Sequence, residues 1–284
     1  MIRFVILYSL FLICSYWVVQ SWSGSWINLL LAQVSFACIG CSMFACGHET
    51  THNTAFKSKK LNQWAAFLAG LAHLYPSILF RELHFTHHRY THLPGKDPEI
   101  SLGNKPGPSV ISTLPMYLSW LSGLPLFLFK IFMIIMASLG MPEPIRKKLY
   151  PFVNPKVRFV LAAESIFVLS CYLLVIILAL RVNPGFWGII TGQALAHSFL
   201  TCFVTAEHNG LPHEGSIMDK TRSTKTNSLV KLMMWNMPYH AEHHAYPAVP
   251  FFSLPTLQEE LNIEVKNQSA GYPNFHLNIF RKFF

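Results

Sequence analysis

From Phe4 to Gly47 the chain carries no Asp, Glu, Lys or Arg, an uncharged run of 44 residues. At 1.5 Å per helical residue this is about twice what a hydrocarbon core of about 30 Å requires. In lipid each backbone polar group must be paired within its own segment, so a run of this kind is read as helices. Two helices are predicted, turned at Trp22-Ser23-Gly24-Ser25-Trp26, where small residues favour a turn and the two indoles suit the interface. Arg3 ahead of apolar residues resembles the start of a signal peptide. The run is too long for one, however, and leads directly into a second, so it is read as a retained span. A second hairpin is predicted from Phe159–Leu180 and Val182–Ala206, turned at Asn183-Pro184-Gly185. The composition agrees: 52% of residues are hydrophobic and 12% charged, about half the charged share of a soluble domain.

Three histidine clusters lie outside these hairpins or at their ends. They are His48-x-x-x-His52, then His84-x-x-His87-His88 within RELHFTHHRYTH, then His240-x-x-His243-His244. On a helix, residues three and four apart share a face, so each cluster presents its imidazoles in one direction. Imidazole is the commonest protein metal ligand and stays neutral near pH 7. Eight such donors exceed what one metal takes, and His208, at the end of the last span, is the natural ninth. His92 continues the second stripe and reads either as a tenth or supporting ligand or as a residue that anchors the following loop. Glu49, Glu207 and Glu242 each adjoin a candidate ligand. They are candidates to orient imidazole N–H groups, or else solvated acids at helix ends. Asn236 precedes His240 by four residues and is expected to bridge through water or to cap the helix of the third cluster.

If all clusters serve one centre they lie on one face of the membrane, which fixes the parity of the segments between them. The uncharged stretch 61–80, with Asn62, Gln63, His73 and Pro76, and the apolar region 110–141, broken by Pro115, Gly123, Pro125 and Lys130, are therefore expected to be in-plane or re-entrant. Of the 22 Lys and Arg, only Arg181 falls in the two outer hairpin loops, which predicts that both termini and the histidines are cytoplasmic. The expected fold is thus an all-α integral membrane protein: four transmembrane helices in two hairpins, in-plane or re-entrant helices, and a cytosolic helical cap holding the metal site. It is read as a single domain, 1–284, with hairpins at about 4–47 and 159–206, cytosolic metal-binding segments at about 48–158 and 207–262, and a C-terminal tail at 263–284.

The net charge of +9 is spread between apolar blocks with no aromatic-interleaved basic patch, so no nucleic-acid partner is expected. All six cysteines fall in predicted spans, which excludes a disulfide framework, and Cys38-x-x-Cys41 lacks a second pair for zinc. Within the spans Glu164 and His197 are the polar exceptions. Both are candidates to line a substrate path, or to pack across helices. His73, His213 and His276 are expected at the interface or in loops.

The order HETTH, HFTHHRYTHLPGKDPE, a transmembrane hairpin, AEHNGLP and WNMPYHAEHHAYPAVPFFSLPTL resembles the membrane fatty acid desaturase superfamily over about residues 30 to 262. The resemblance implies a di-iron centre, O2 as co-substrate and electrons from a separate ferredoxin- or cytochrome-type protein. Its implied ligands are His48, His52, His84, His87, His88, His208, His240, His243 and His244. Related segments often read PFHxLPxLH, whereas Phe252 and Gln258 stand at those positions here. The implied reaction is desaturation of a fatty acyl chain. Hydroxylation of an alkane, carotenoid or lipid is the alternative, since both begin with the same hydrogen abstraction. His48-Glu49-x-x-His52 also spells the HExxH of zinc proteases, a remote alternative that leaves most of the histidines unused. A histidine-rich metal transporter is a third reading, weakened because the histidines gather at span ends. No domain-sized segment is left for a fused electron carrier, and Arg146, Lys147 and Lys148 are a candidate contact for an acidic donor or for lipid headgroups.

Overall fold

The two uncharged runs fold as helical hairpins. α1 (Ile2–Ser21) and α2 (Trp26–Thr51) turn through a loop closed by Asn28, whose Nδ2 donates to Ser21 Oγ at 2.9 Å and whose Oδ1 accepts from Trp17 Nε1 at 3.0 Å. The computed structural model describes residues 1–102, 105–106, 109–260 and 265–284. The loop that follows the second histidine cluster is therefore described only in part, and the expected boundary near 262 lies outside the described residues.

After α2 come two short helices, α3 (Lys59–Ala72) and α4 (Ser77–Tyr90). Hydropathy alone would merge residues 61–80 into one span. The chain instead breaks at His73–Pro76, where Leu74 takes φ +52° and Tyr75 N donates to Gly70 O at 2.8 Å. At 14 residues, α3 is about 21 Å long, short of a bilayer core. The apolar region 110–141 is also broken, into α5 (Leu114–Leu121) and α6 (Leu124–Ser138), bent by 62° at Gly123. A short α7 (Glu143–Leu149) leads to the second hairpin, α8 (Arg158–Arg181) and α9 (Trp187–His208). Four helices, α1, α2, α8 and α9, are long and apolar enough to cross a membrane.

α2 and α9 form the inner pair. Their contact depends on small residues: Gly40 faces Ala196, and a Cβ on Gly192 would press into the Phe36 ring. Without water to drive apolar association, close backbone approach of this kind is what holds helices together in lipid. α1 and α8 turn large side chains such as Ile13, Leu173 and Leu174 outward.

Beyond α9 the chain forms α10 (Ile217–Lys220), α11 (Ser228–Met233), α12 (His240–Ala245), α13 (Leu254–Glu260) and α14 (Tyr272–Arg281). A two-residue parallel ribbon pairs Ser223–Thr224 with Gln268–Ser269. The segment expected as a tail is instead part of the packed structure, because Tyr272, Phe275 and Ile279 of α14 bury against Tyr117 and Ala206.

Two side chains singled out in the sequence are fixed by this packing. Glu164 packs across helices. Its carboxylate accepts from Ser77 N and Ser77 Oγ, both at 2.7 Å, and from Ile78 N at 3.1 Å, so it caps the N-terminus of α4 from across the helix interface. A negative charge there satisfies orphan amides and complements the helix dipole, which fixes the pitch of the helix carrying the second histidine cluster. Arg146 is not a free cation: it is buried, paired with Glu143 at 2.8 and 2.9 Å, and donates to Val153 O at 2.7 Å. Only Lys147 and Lys148 of that basic cluster are exposed.

Gly123 holds φ +70°, and a Cβ there would overlap the backbone of Ser198 on α9, whereas Gly140, at φ +75°, faces open space. Gly140→Ala carries only the conformational cost, about 1 kcal/mol. Gly123→Ala adds a backbone clash, so its loss of thermal stability in detergent is expected to be clearly the larger; equal losses would contradict the close α5/α6–α9 contact.

Candidate metal centre

The three histidine clusters meet, and they do not stay together as clusters. His48 and His52 stand at the end of α2, His84, His87 and His88 on α4, His208 at the end of α9, and His240, His243 and His244 on α12. Arg81 Nη1 donates to Thr51 O at 2.9 Å, locking the end of α2 to α4. The nine imidazoles sort into two groups, in each of which one ring nitrogen per residue lies within 4.8 Å of the others. The first holds His48, His52, His84, His88 and His243; the second holds His87, His208, His240 and His244. Each HxxHH cluster is thus split. On α4 the residues at i and i+4 face one group while the residue at i+3 turns to the other; on α12 the i+3 residue joins the first group and its neighbours the second. Stacked rings of His88 and His244, 4.1 Å between centroids, link the two.

Within the groups Nε2 faces Nε2. The separations are 2.8 Å for His52–His84, 3.0 Å for His84–His88, 2.7 Å for His208–His240, and 3.1 and 3.3 Å from His87 to His208 and His244. One proton can bridge one such pair, but not a ring of four or five rings all pointing inward. Among the described residues, buried His48 Nε2 and both ring nitrogens of His243 have no hydrogen-bond partner. Adjacent donors in an octahedron with metal–nitrogen bonds of about 2.1 Å stand about 3 Å apart, so the donor set fits transition-metal ions.

Electrostatics keep the donors available. Burial, followed by the neighbouring imidazoles, lowers His52 to about 3 and holds His84, His88, His240, His243 and His244 well below the ordinary histidine value. His87 is the exception. Burial opposes its charge, but the Glu99 and Asp97 carboxylates outweigh it and raise His87 to about 9. Asp97 is fully buried and contacts His87 Nδ1 at 2.9 and 3.0 Å. Sequence reasoning missed it; its signal was an acid in the LPGKDPE loop ten residues beyond a ligand.

The other candidates are placed as follows. His92 lies outside both groups. Its backbone amide, at φ +61°, donates to Asp97 Oδ2 at 2.7 Å, and its Nδ1 donates to Pro212 O at 2.9 Å, so it anchors the loop that carries Asp97. Glu49 Oε1 contacts His48 Nδ1 at 3.2 Å, and Glu207 Oε1 lies 3.8 Å from His240 Nδ1. Glu242 touches no imidazole. It accepts from Ser223 Oγ and from Gln258 Nε2 at 2.6 Å, bracing α12 through the residue that departs from the related pattern. Asn236 neither caps α12, whose N-cap is Tyr239, nor faces a ring; its Nδ2 donates to Phe251 O at 2.9 Å. His197 joins neither group and stacks on His73, which is buried rather than interfacial. In the HExxH segment, His48 and His52 belong to a five-histidine group rather than a three-ligand zinc site, and Glu49 is engaged with His48.

Between the groups lies a small chamber, lined by His48, His84, His87 and His240, by Glu99 and Glu207, and by apolar Phe44, Phe80, Val204 and Met237. An apolar wall beside two donor groups suits chemistry on a hydrocarbon.

Residues 24–274 match the family model described as fatty acid desaturase. The chain is 25% identical over 265 residues to sphingolipid delta(4)-desaturase DES1-like of Oryza sativa subsp. japonica, covering 90% of this chain and 71% of that protein. It is 26% identical over 250 residues to sphingolipid delta(4)-desaturase DES1 of Bos taurus, covering 86% and 69%. To sphingolipid delta(4)-desaturase/C4-monooxygenase DES2 of Mus musculus it is 26% identical over 254 residues, covering 86% and 68%.

Two outcomes follow from the geometry. Asp97→Ala is expected to weaken metal affinity by about ten- to a hundredfold, as loss of an imidazole-orienting carboxylate typically does; chelator competition measures it, and unchanged affinity would remove Asp97 from the site. The second concerns the metal-free protein. Histidines with depressed folded pKa bind protons only when unfolded, so their contribution is full above about pH 6.5 and is lost as pH falls. His87 acts in the opposite sense, stabilising below about pH 6.5 and losing that contribution as pH rises through about 9. Melting temperature should therefore fall from pH 7 to 5 and again, more shallowly, as pH rises toward about 9, with Asp97→Asn reducing the alkaline decline while Glu99 keeps part of it.

Proposed function

Because the chain belongs to the fatty acid desaturase family, a family of oxidoreductases, we propose that it is an O2-dependent, di-iron membrane desaturase that introduces a double bond into the acyl chain of a lipid. The observation that carries this reading is the convergence of nine imidazoles into two groups, members of both of which line a chamber with Phe44, Phe80, Val204 and Met237.

In this reading His48, His52, His84, His88 and His243 hold one iron and His87, His208, His240 and His244 the other. Iron so held would supply the reduction of O2 and the oxidising power needed to take hydrogen from an unactivated methylene. Neutral ligands leave the metal charge uncancelled, and the Glu49, Asp97, Glu99 and Glu207 carboxylates around the groups offset it. Asp97, fixed by the His92 amide, holds the His87 ring through Nδ1 so that Nε2 points inward. Phe44, Phe80, Val204 and Met237 exclude water and receive the alkyl segment that reacts. Electrons come from a separate ferredoxin- or cytochrome-type protein. In this reading the site and both termini lie on the cytoplasmic side, which the charge asymmetry of the loops supports.

A hydroxylating outcome is the second reading. It is favoured by one specific observation: a relative bears the name desaturase/C4-monooxygenase. The two outcomes share the first hydrogen abstraction and part at the next step.

Expression in a host that supplies iron and a donor, followed by mass spectrometry of its lipids, is expected to show a new double bond that His88→Ala abolishes. A new hydroxyl would select the second reading. The purified protein should hold about two irons; a single zinc would overturn both readings in favour of hydrolytic chemistry.

A further inference from the structure

α14 presents three faces, and only two of them are accounted for. Tyr272, Phe275 and Ile279 turn into the protein, against Tyr117 and Ala206. Asn274, Asn278 and Arg281, at i, i+4 and i+7, form an exposed polar stripe that suits water. Pro273, Leu277 and Phe280 repeat that spacing one residue earlier and form a second exposed stripe, this one apolar. Phe284, just past the helix, adds a ring that is 88% exposed. Successive helical residues are turned by about 100°, so the two exposed stripes point in different directions. A helix packed on a protein in water needs a single apolar face. The second one requires an apolar neighbour.

The depth of α14 indicates which neighbour. His276 Nε2 donates to Cys202 O at 2.8 Å, and Tyr272 meets the Phe203 ring edge-on, with centroids 4.8 Å apart. A hydrocarbon core takes about 20 helical residues, which counted from Trp187 at the start of α9 reach Ala206. The contacts at Cys202 and Phe203 therefore lie about 5 Å below the edge of that core, at 1.5 Å per residue. A helix lying in the membrane interface sinks its apolar face about 5 to 10 Å deep.

α5 flanks α14 at this level. Tyr117 Oη donates to His276 Nδ1 at 2.5 Å, and the Tyr117 and Phe283 rings lie 5.8 Å apart. Beside buried Tyr117 the side chain of Leu118 is exposed, as are Leu128 and Phe132 further along in α6. The apolar stripe of α14 thus continues an apolar surface of the bundle. Arg281 and, beyond it, Lys282 are exposed at its end, and α14 contains no acid. Cations beside an apolar face complement anionic headgroups.

We propose that α14 is sunk in the leaflet on the side of the histidine groups. Leu277, Phe280 and Phe284 lie among acyl chains, Asn274 and Asn278 face water, and Arg281 and Lys282 contact the phosphates of anionic phospholipid. This surface is independent of the reaction carried out at the histidines. Arg222 links it to them, because its guanidinium lies 4.9 Å from the Phe275 ring and donates to Ala206 O at 2.6 Å and Asn209 O at 3.1 Å, on either side of His208.

The test uses the unaltered full chain, one copy per nanodisc of mixed phosphatidylcholine and phosphatidylserine, footprinted with hydroxyl radicals. Phe280 and Phe284 are expected to be oxidised roughly tenfold more slowly than Tyr246, which is 42% exposed at the end of α12, and as slowly as exposed Phe167 within α8. Oxidation of Phe284 as fast as Tyr246 would put this face in water and overturn the proposal. No variant has to fold for that comparison. In vesicles of the same lipids, Phe280→p-benzoylphenylalanine is then irradiated. Phospholipid adducts are expected, with phosphatidylserine enriched about twofold over its share of the mixture, and Arg281→Gln together with Lys282→Gln should remove the enrichment. Adducts with a second copy of the chain and none with lipid would make the face a protein contact and overturn the proposal. Phosphatidylserine at no more than its share would overturn the contact assigned to the two cations.

Discussion

Nine imidazoles turned toward one another in a dry interior is the condition around which the rest of this structure is arranged. Burial keeps nearly all of them neutral and therefore able to donate a lone pair. Inward-facing nitrogens 2.7 to 3.3 Å apart cannot satisfy one another through shared protons, so the arrangement is stable only as a ligand set or as a network under strain. Four helices from distant parts of the chain must stop at the same height for this to happen. The small-residue contact of α2 with α9 does that for two of them.

The remaining two helices are placed by polar contacts in addition to the apolar packing of residues such as Leu79. Glu164, inside α8, receives the first amides of α4 and thereby sets the rotation at which His84, His87 and His88 emerge. Ser223 Oγ accepts from Ala241 N at 3.0 Å and meets Glu242, which Gln258 holds in turn. Both carboxylates are buried by the fold, Glu164 anchored by the amides it supports and Glu242 by the side chains of Ser223 and Gln258, so their contribution is geometric before it is electrostatic. Asp97 combines both roles, since it closes a loop through the His92 and Glu99 amides and charges His87.

Much of the fold was legible because lipid imposes a strict rule on sequence. An uncharged run of 44 residues admits few parses, and Asn183-Pro184-Gly185 stands where the second hairpin turns. The breaks within 61–80 and 110–141 were visible as Pro76 and Gly123. The histidines were legible because helical spacing alone aligns them. Glu164, polar where polar groups are rare, satisfies backbone groups at the start of α4, and Asn236 does the same for the carbonyl of Phe251; their partners are distant in sequence. Asp97 went unnoticed because a carboxylate in a Pro- and Gly-containing loop resembles any solvated turn residue, and only the closure of that loop buries it.

By itself the sequence determined the membrane hairpins, the identity of the histidines and the chemistry that such donors invite, because those depend on local spacing and on composition. The tertiary structure decided how the donors are shared. Residues i, i+3 and i+4 of one helix face nearly the same way, and a turn of tens of degrees is enough to send His87 to the group that holds His208 and His84 and His88 to the group that holds His48 and His52. The same packing decided that His73 and His197, far apart in the sequence, stack in the interior, a meeting that no local pattern encodes.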